Sequence, residues 1–510
     1  MKKTNKDKKH HVEELLEMFQ FAYKESAVHF KRMATAAASY EGKINISTWP
    51  TLSRISFPFN WNIVEQQLPF VMGYLFPKGR WPTLVPAEAG VDLQAISRVE
   101  DYLRYLMIVV MRIPKVTHLI LKDCIRYAVG YGLADHEYIS VPDVVQKDLY
   151  RGSEKLASKV VTGMRGKLSP IIRYVHPARV IPMPDGSDTD GPARADHFVL
   201  LTYPEVAFRE MFKSDDRYTG NVEEIIKESR NLGCDARVKY QTIMARIAGV
   251  EASGRINEDV PVLVPVLIYY GLKEKTYIAA GKYIIREVHA EGDEVLVSDL
   301  IKFSAWPDGE QWFPTGPFEA GQSVGDGANL WYNGLVDLAT YSMNPTRVLN
   351  KSMFGNNAVP PVGPNQDLEV YGDPSKAARY MDLPPFPQQL FAMGDMLQDQ
   401  LGRTGGHPAA LDRMVPGLVR GGSNALETMI SSSTGRQLLA AMMIKTGGMQ
   451  DMISKILIKA QGMIGEGGDM FISREYDSKK KENTVVEQTI TMTDLAHAFR
   501  VYLDIPAACF

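Results

Sequence analysis

A chain that places two helical patterns on either side of a long proline-rich excursion has few ways to bury both, and this one does so between Gly325 and Ile458. Ala328–Met343 carries Ala328, Trp331, Leu335, Leu338 and Met343 at helical spacing, with Asn329, Asn333, Asp337 and Thr340 between them. The spacing predicts a helix whose apolar stripe faces a core and whose polar stripe faces away. Asp326 is a candidate cap for its start. Asn344-Pro345 ends it, since a residue before proline avoids helical dihedrals. Roughly forty residues follow without helical pattern and with Pro360, Pro361, Pro364, Pro374, Pro384, Pro385 and Pro387 among them. Helical periodicity returns at Gln388–Leu401, and a glycine-rich loop runs from Gly402 to Gly422. The longest pattern, Ser423–Thr446, is interrupted by Ser431-Ser432-Ser433-Thr434-Gly435, a composition at which helices kink. Two short helices of this kind cannot build a core of their own, so identical neighbours around a closed axis are expected to supply it.

Charge and cysteine content narrow the class. The chain of 510 residues has a net charge of −3, which argues against coating nucleic acid by bulk positive charge. Cys124, Cys234 and Cys509 are too far apart in sequence for a disulfide framework or a zinc site and read as reduced thiols, the first two buried. The longest apolar run, Val260–Leu272, is roughly 13 residues with two prolines, short of the ~20 a spanning helix needs. Residues 1–11 are basic, lack an apolar stretch behind them and read as a solvated tail rather than a signal peptide.

Around the central stretch the pattern is mixed. Val12–Ser39 reads as a helix with Leu15, Leu16, Phe19, Ala22 and Tyr23 on one side. A short apolar helix ends near Phe76-Pro77, and two more, Leu93–Ile113 and Lys115–Gly132, are separated by Pro114. Gly130 and Gly132 suit a helix C-terminus. Strand-like pieces follow at Glu137–Val141, Pro170–Met183 and His197–Tyr203. Pro204–Phe212 and Val222–Asn231 are helical. Val260–Tyr270, Thr276–Ala280, Lys282–Val288 and Glu294–Val297 form a meander of short strands. Phe471–Tyr476 and Val485–Met492 are strands about a charged turn, and Asp494 caps a short helix through Leu503.

Catalytic motifs are weak. Gly321-Gln322-Ser323-Val324-Gly325 matches the nucleophile-elbow pattern, with His407 or His497 as histidine by order alone. The Pro/Gly-rich residues before Ser323 cannot form the buried strand an elbow requires. Gly163–Ser169 has the wrong spacing for a phosphate loop. The ten histidines show no metal spacing. Met393, Met396, Met429, Met442, Met443, Met449 and Met452 read as packing between helices rather than a binding surface.

The order of elements resembles the portal proteins of tailed bacteriophages, particularly short-tailed ones. The likeness covers roughly Tyr40 to Ile458, including the Tyr40-Glu41-Gly42 turn and the Gly325-Asp326-Gly327 lead-in. It implies an α+β, ring-forming fold: an α/β wing over 1–325, stem helices at 326–345 and 388–402, an inserted clip at 346–387, a tunnel loop at 403–422, a long kinked helix and the helix after it over 423–465, and a C-terminal wing with reduced crown at 466–510. It further implies a homo-oligomer, twelve-fold in the family, at one capsid vertex, assembled in the host cytoplasm and retained in the virion. Double-stranded DNA would pass through it without sequence specificity. The terminase large subunit, then a tail adaptor or head-completion protein, would dock on the clip, and major capsid and scaffolding proteins would surround the ring. Neither enzyme activity nor cofactor, metal or membrane is implied, the motor ATPase being a separate subunit. Carried over by element order, Arg403, His407, Arg413 and Arg420 would meet DNA in the tunnel loop. Arg347, Lys351, Asp367, Glu369 and Arg379 would serve docking at the clip, and Ser431, Ser433 and Gly435 would form the kink. Another ring-forming head-completion or tail protein is the alternative; a serine hydrolase using Ser323 is the remote one.

Overall fold

The computed structural model describes residues 5–42, 51, 53–56, 59–76, 81–86, 93–151, 154–184, 195–232, 262–292, 296–307, 311–343, 347–349, 378–380, 441–463, 469–477, 482–495 and 499–502. Helix and strand are mixed, as an α+β chain requires.

Helix α1 runs Asn5–Tyr40, so residues 5–11 are helical instead of a loose tail. The extension has a reason at its end: Val12 is buried and His11 lies 3.6 Å from Glu274. Helix α2 (Phe59–Leu75) and strand β1 (Thr83–Pro86) follow. Helix α3 (Leu93–Tyr105) continues as a π-turn, Leu106–Val110. The break before helix α4 (Ile113–Tyr127) falls at Arg112, whose φ is 52°; Pro114 opens α4 rather than dividing two helices. α4 ends at Ala128, with φ 64°, and Gly130 and Gly132 belong to the strand beyond. Those glycines make room for α4: a Cβ on Gly132 would meet Ile120 at 3.1 Å and Ile172 at 3.2 Å.

Strands β2 (Val129–Arg151) and β3 (Glu154–Val175) form one long antiparallel ladder. The phosphate-loop look-alike at Gly163–Ser169 is strand. After β4 (Val180–Pro182) and β5 (His197–Pro204) come helices α5 (Glu205–Ser214) and α6 (Val222–Asn231). Strands β6 (Leu263–Tyr270), β7 (Glu274–Ala279) and β8 (Tyr283–His289) complete a five-stranded antiparallel sheet in the order β4-β5-β6-β7-β8. Both of its faces are covered, which explains the apolar run through β6. Leu267 and Tyr269 pack with Leu15 and Phe19 of α1, while Val264, Val266 and Ile268 pack with Phe208 of α5 and Ile225 of α6.

Of the strand expected at Glu294–Val297, residues 294 and 295 lie outside the described residues and 296–297 are not strand; β9 (Leu300–Ser304) follows and joins β2 on the side away from β3. Helix α7 (Pro317–Met343) and the short strands β10 (Arg347–Leu349) and β11 (Ala378–Tyr380) follow. A helical stretch from Ala441 passes through a second π-turn, Lys445–Met449, into helix α8 (Gln450–Gln461). Strands β12 (Asp469–Asp477) and β13 (Glu482–Ile490) pair with each other. Helix α9 is only Met492–Leu495. Thr491 caps it, its hydroxyl accepting from the amide of Asp494, 3.3 Å away, while Asp494 accepts from the amide of Thr491 at 3.0 Å. Asp494 is therefore the return partner of the cap, and residues 499–502 are strand β14 (Phe499–Tyr502) against β1, not helix. A second core brings α8 onto α3 and α4 through Met452, Ile453 and Ile456 packed with Val99, Leu103 and Ile120.

Candidate functional site

The central rod begins earlier than its pattern suggests. α7 starts at Pro317, so Gly321, Gly325, Asp326 and Gly327 lie inside it and Asp326 caps nothing. Glycine-bearing turns are poor helix, and tertiary contact holds them: Arg32 of α1 pairs with Glu319 at 2.5 Å and reaches Thr315 at 3.2 Å. Burial holds the Asp326 carboxyl above its usual range. Ser323 sits mid-helix, with no strand running into it.

The polar stripe of α7 faces inward, contrary to its expected placement. Asn329 and Asn333 are buried, while Leu330 and Tyr332 are 36% and 37% exposed. Residues 53–56, which belong to no helix or strand, lie against this stripe, and their backbone takes partners from it. The Asn333 carboxamide supplies them in both directions. Its oxygen accepts from the amide of Ile55 at 2.7 Å, and its nitrogen donates to the carbonyl of Ile55 at 2.7 Å. Asp337 accepts from the amide of Ser53 at 2.8 Å. Trp331, Leu335 and Leu338 remain half-buried. The recurrence Asn329, Asn333, Asp337 every four residues was the available signal.

α7 ends at Met343, directly before Asn344-Pro345, as expected. The chain then leaves and returns through a neck: β10 pairs antiparallel with β11, Arg347 opposite Tyr380 and Val348 opposite Arg379. Arg347 and Arg379 thus occupy adjacent register positions on opposite faces of a two-stranded ribbon. Lys351, Asp367 and Glu369 lie outside the described residues. So do Arg403, His407, Arg413 and Arg420 of the tunnel loop, and Ser431, Ser433 and Gly435 of the kink.

From Ala441 the chain is helical and carries the π-turn at Lys445–Met449, without a break at Thr446. Gly448 permits the turn to press on β9; a Cβ there would stand 2.5 Å from Cγ of Phe303. Lys445 is buried, with its ammonium 5.0 Å from the centre of the Tyr74 ring. Met449 and Met452 are core residues, whereas Met443 is 40% exposed.

α8 is also tied to β7 and to the approach to β9 by charge. Lys459 reaches Asp299 at 2.9 Å, and Lys275 of β7 pairs with the same carboxylate. Burial alone would raise the Asp299 pKa; Lys275 and Lys459 outweigh it and bring it down to about 2. Lys455 donates to the carbonyl of Leu300 and to Asp451, both at 2.7 Å. Beside this junction the imidazole of His197 donates from Nδ1 to the carbonyl of Ala195 at 2.8 Å. Its Nε2 is therefore left to accept from the hydroxyl of Ser298, 3.0 Å away. Ser298 in turn accepts from the amide of Leu300 at 3.1 Å. His197 and Ser298 are both buried, and burial lowers the His197 pKa to about 4. This serine–histidine pair is closed off and fixes the approach to β9.

No helix among the described residues is long and apolar enough to cross a membrane. No model of a known protein family matches the chain, and no curated protein sequence is similar to it.

Proposed function

We propose that the protein is the portal of a tailed bacteriophage, a ring at the capsid vertex through which DNA is packaged and ejected. The observation that carries this reading is the path of the chain around α7. A helix of 27 residues, about 40 Å long at 1.5 Å per residue, follows the wing sheets and ends at a proline. The chain beyond it departs and returns through the β10–β11 neck, then rejoins the wing core along Ala441–Gln461. Wing, rod, closed excursion, return: that order supports a stem, a clip and a long helix laid back across the wing.

In this reading copies pack side by side through α7, whose half-buried Trp331, Leu335 and Leu338 and exposed Leu330 meet the neighbouring rod. Terminase and then the adaptor dock beyond the neck marked by Arg347 and Arg379. From Asp326 to Gly422 acidic residues slightly outnumber basic ones. Duplex DNA carries one negative charge per about 1.7 Å, so a channel lined by such a stretch lets it slide rather than binding it tightly.

Electron microscopy of the purified protein tests the proposal. Closed rings with an open channel in end-on views are expected, and deletion of the gene should leave empty heads. A compact monomer overturns it, and DNA-filled heads after deletion would assign the chain to a tail or head-completion role.

A further inference from the structure

Strands β2 and β3 stay paired far beyond the sheet that anchors them. β2 has β9 as a second neighbour only from Val129 to Leu133, whereas its ladder with β3 runs on to Arg151 and Glu154. From Tyr138 and Leu168 outward there is a ribbon of two strands, about 37 Å long as far as Leu149 at ~3.4 Å per residue. Its composition departs from the rest of the chain. Residues 138–168 hold six Lys or Arg against three Asp or Glu, in a protein of net charge −3.

The register decides where those charges fall. Residues paired across the ladder share a face, and successive pairs alternate faces. The pairs Ile139–Lys167, Val141–Arg165 and Lys147–Lys159 therefore lie on one face. From Tyr138–Leu168 to Leu149–Ala157, all four basic residues occupy that face, together with Asp143. The opposite face has a single charged residue, Asp148. A slip of one residue between the strands would have put Lys147 on the face opposite Lys159, Arg165 and Lys167.

We propose that this ribbon is a DNA-binding arm whose basic face takes the phosphate backbone of a duplex. Three points support it. Lys147 and Lys159 occupy directly opposite register positions, and like charges at such positions are destabilising unless an anion offsets them. A two-stranded ribbon is marginally stable by itself in water, so neutralisation by a ligand contributes to its order. A major groove about 12 Å wide admits such a ribbon, and the basic positions spread along roughly 27 Å at ~3.4 Å per residue, enough to meet several phosphates. The arm extends from the β3-β2-β9 sheet, and its role stands whether or not the chain forms a ring.

The test is binding of the full-length protein to a labelled 30-base-pair duplex between 50 and 200 mM salt. Four phosphate contacts give a slope near −3.6, so the wild type should lose about 100-fold in affinity across that range. Replacing Lys147, Lys159, Arg165 and Lys167 by Gln should weaken binding at 50 mM at least ten-fold and leave little salt dependence. A second variant, Ser140→Glu, Gln146→Glu, Ser158→Glu and Thr162→Glu, makes the same charge change on the opposite face and should stay within three-fold of wild type. Circular dichroism and subunit count are checked for each; if the fourfold variant does not fold, each single Lys→Gln or Arg→Gln change should lower the slope by about 0.9. Unchanged binding after loss of the basic residues overturns the proposal, as does equal weakening by both variants. So does affinity for poly-L-glutamate equal to that for DNA, which would point to an acidic protein surface.

Discussion

Asp299 joins two elements more than a hundred and fifty residues apart because two ammonium groups, on Lys275 and Lys459, share its carboxylate. Replacing it with Asn leaves two positive charges facing each other in a largely buried site. A loss of about 3 kcal/mol in chemical denaturation is expected, the lower end of what breaking a buried pair costs. The native pKa lies below the ordinary 3.8, so this contribution is complete above that value and disappears as pH falls through it towards about 2. His197 acts in a different window. Its pKa falls from 6.5 to about 4, so the folded state binds fewer protons between those values and stability declines on acidification from 6.5. The decline should total on the order of 3 kcal/mol by pH 4 and be absent in His197→Gln, which a urea titration at several pH values would read. Adjacent glycines in the π-turn should respond with opposite signs. Gly448→Ala drives a methyl group into Phe303 and should cost about 1–3 kcal/mol. Gly447→Ala meets nothing within 4 Å and should be neutral or stabilising by up to ~1 kcal/mol.

At the scale of elements, α7 shows where periodicity is informative and where it misleads. Its C-terminus was legible because Pro345 acts through covalent geometry. Its N-terminus was not, since Gly321, Gly325 and Gly327 lower helix propensity and only the clamp from Arg32 of α1 compensates. Nor was its orientation: hydrophobicity predicts that asparagines face water, but the Asn333 carboxamide pairs with both the amide and the carbonyl of Ile55. Asn333→Leu should therefore destabilise by about 1–3 kcal/mol, leaving the Ile55 amide and carbonyl unpaired. Faster hydrogen exchange at Ser53 and Ile55, with the β5–β6 ladder unaffected, would identify the cause. The strands around Phe471 and Val485 were legible from alternation, whereas β14 carries no such local signal and pairs with β1, more than four hundred residues earlier.

For the whole molecule, assembly is the property on which the proposed function turns. Leu330 lies 36% exposed on α7, and Leu330→Glu should shift the protein from rings to smaller species in sedimentation velocity. The thermal midpoint of the subunit should change little, as for most surface substitutions. A ring that survives this change would remove α7 from the subunit interface. By itself the sequence determined the local elements: the proline that ends α7, the apolar stripe of α1 and the uninterrupted apolar run of β6. Each is set by covalent geometry or by neighbours within a few residues. Tertiary structure alone decided which face of α7 is buried, which lysines meet Asp299, and that four basic residues share one side of the β2–β3 ribbon. Those outcomes depend on strand register and on tertiary partners, some of them more than a hundred residues away, which periodicity within one element does not encode.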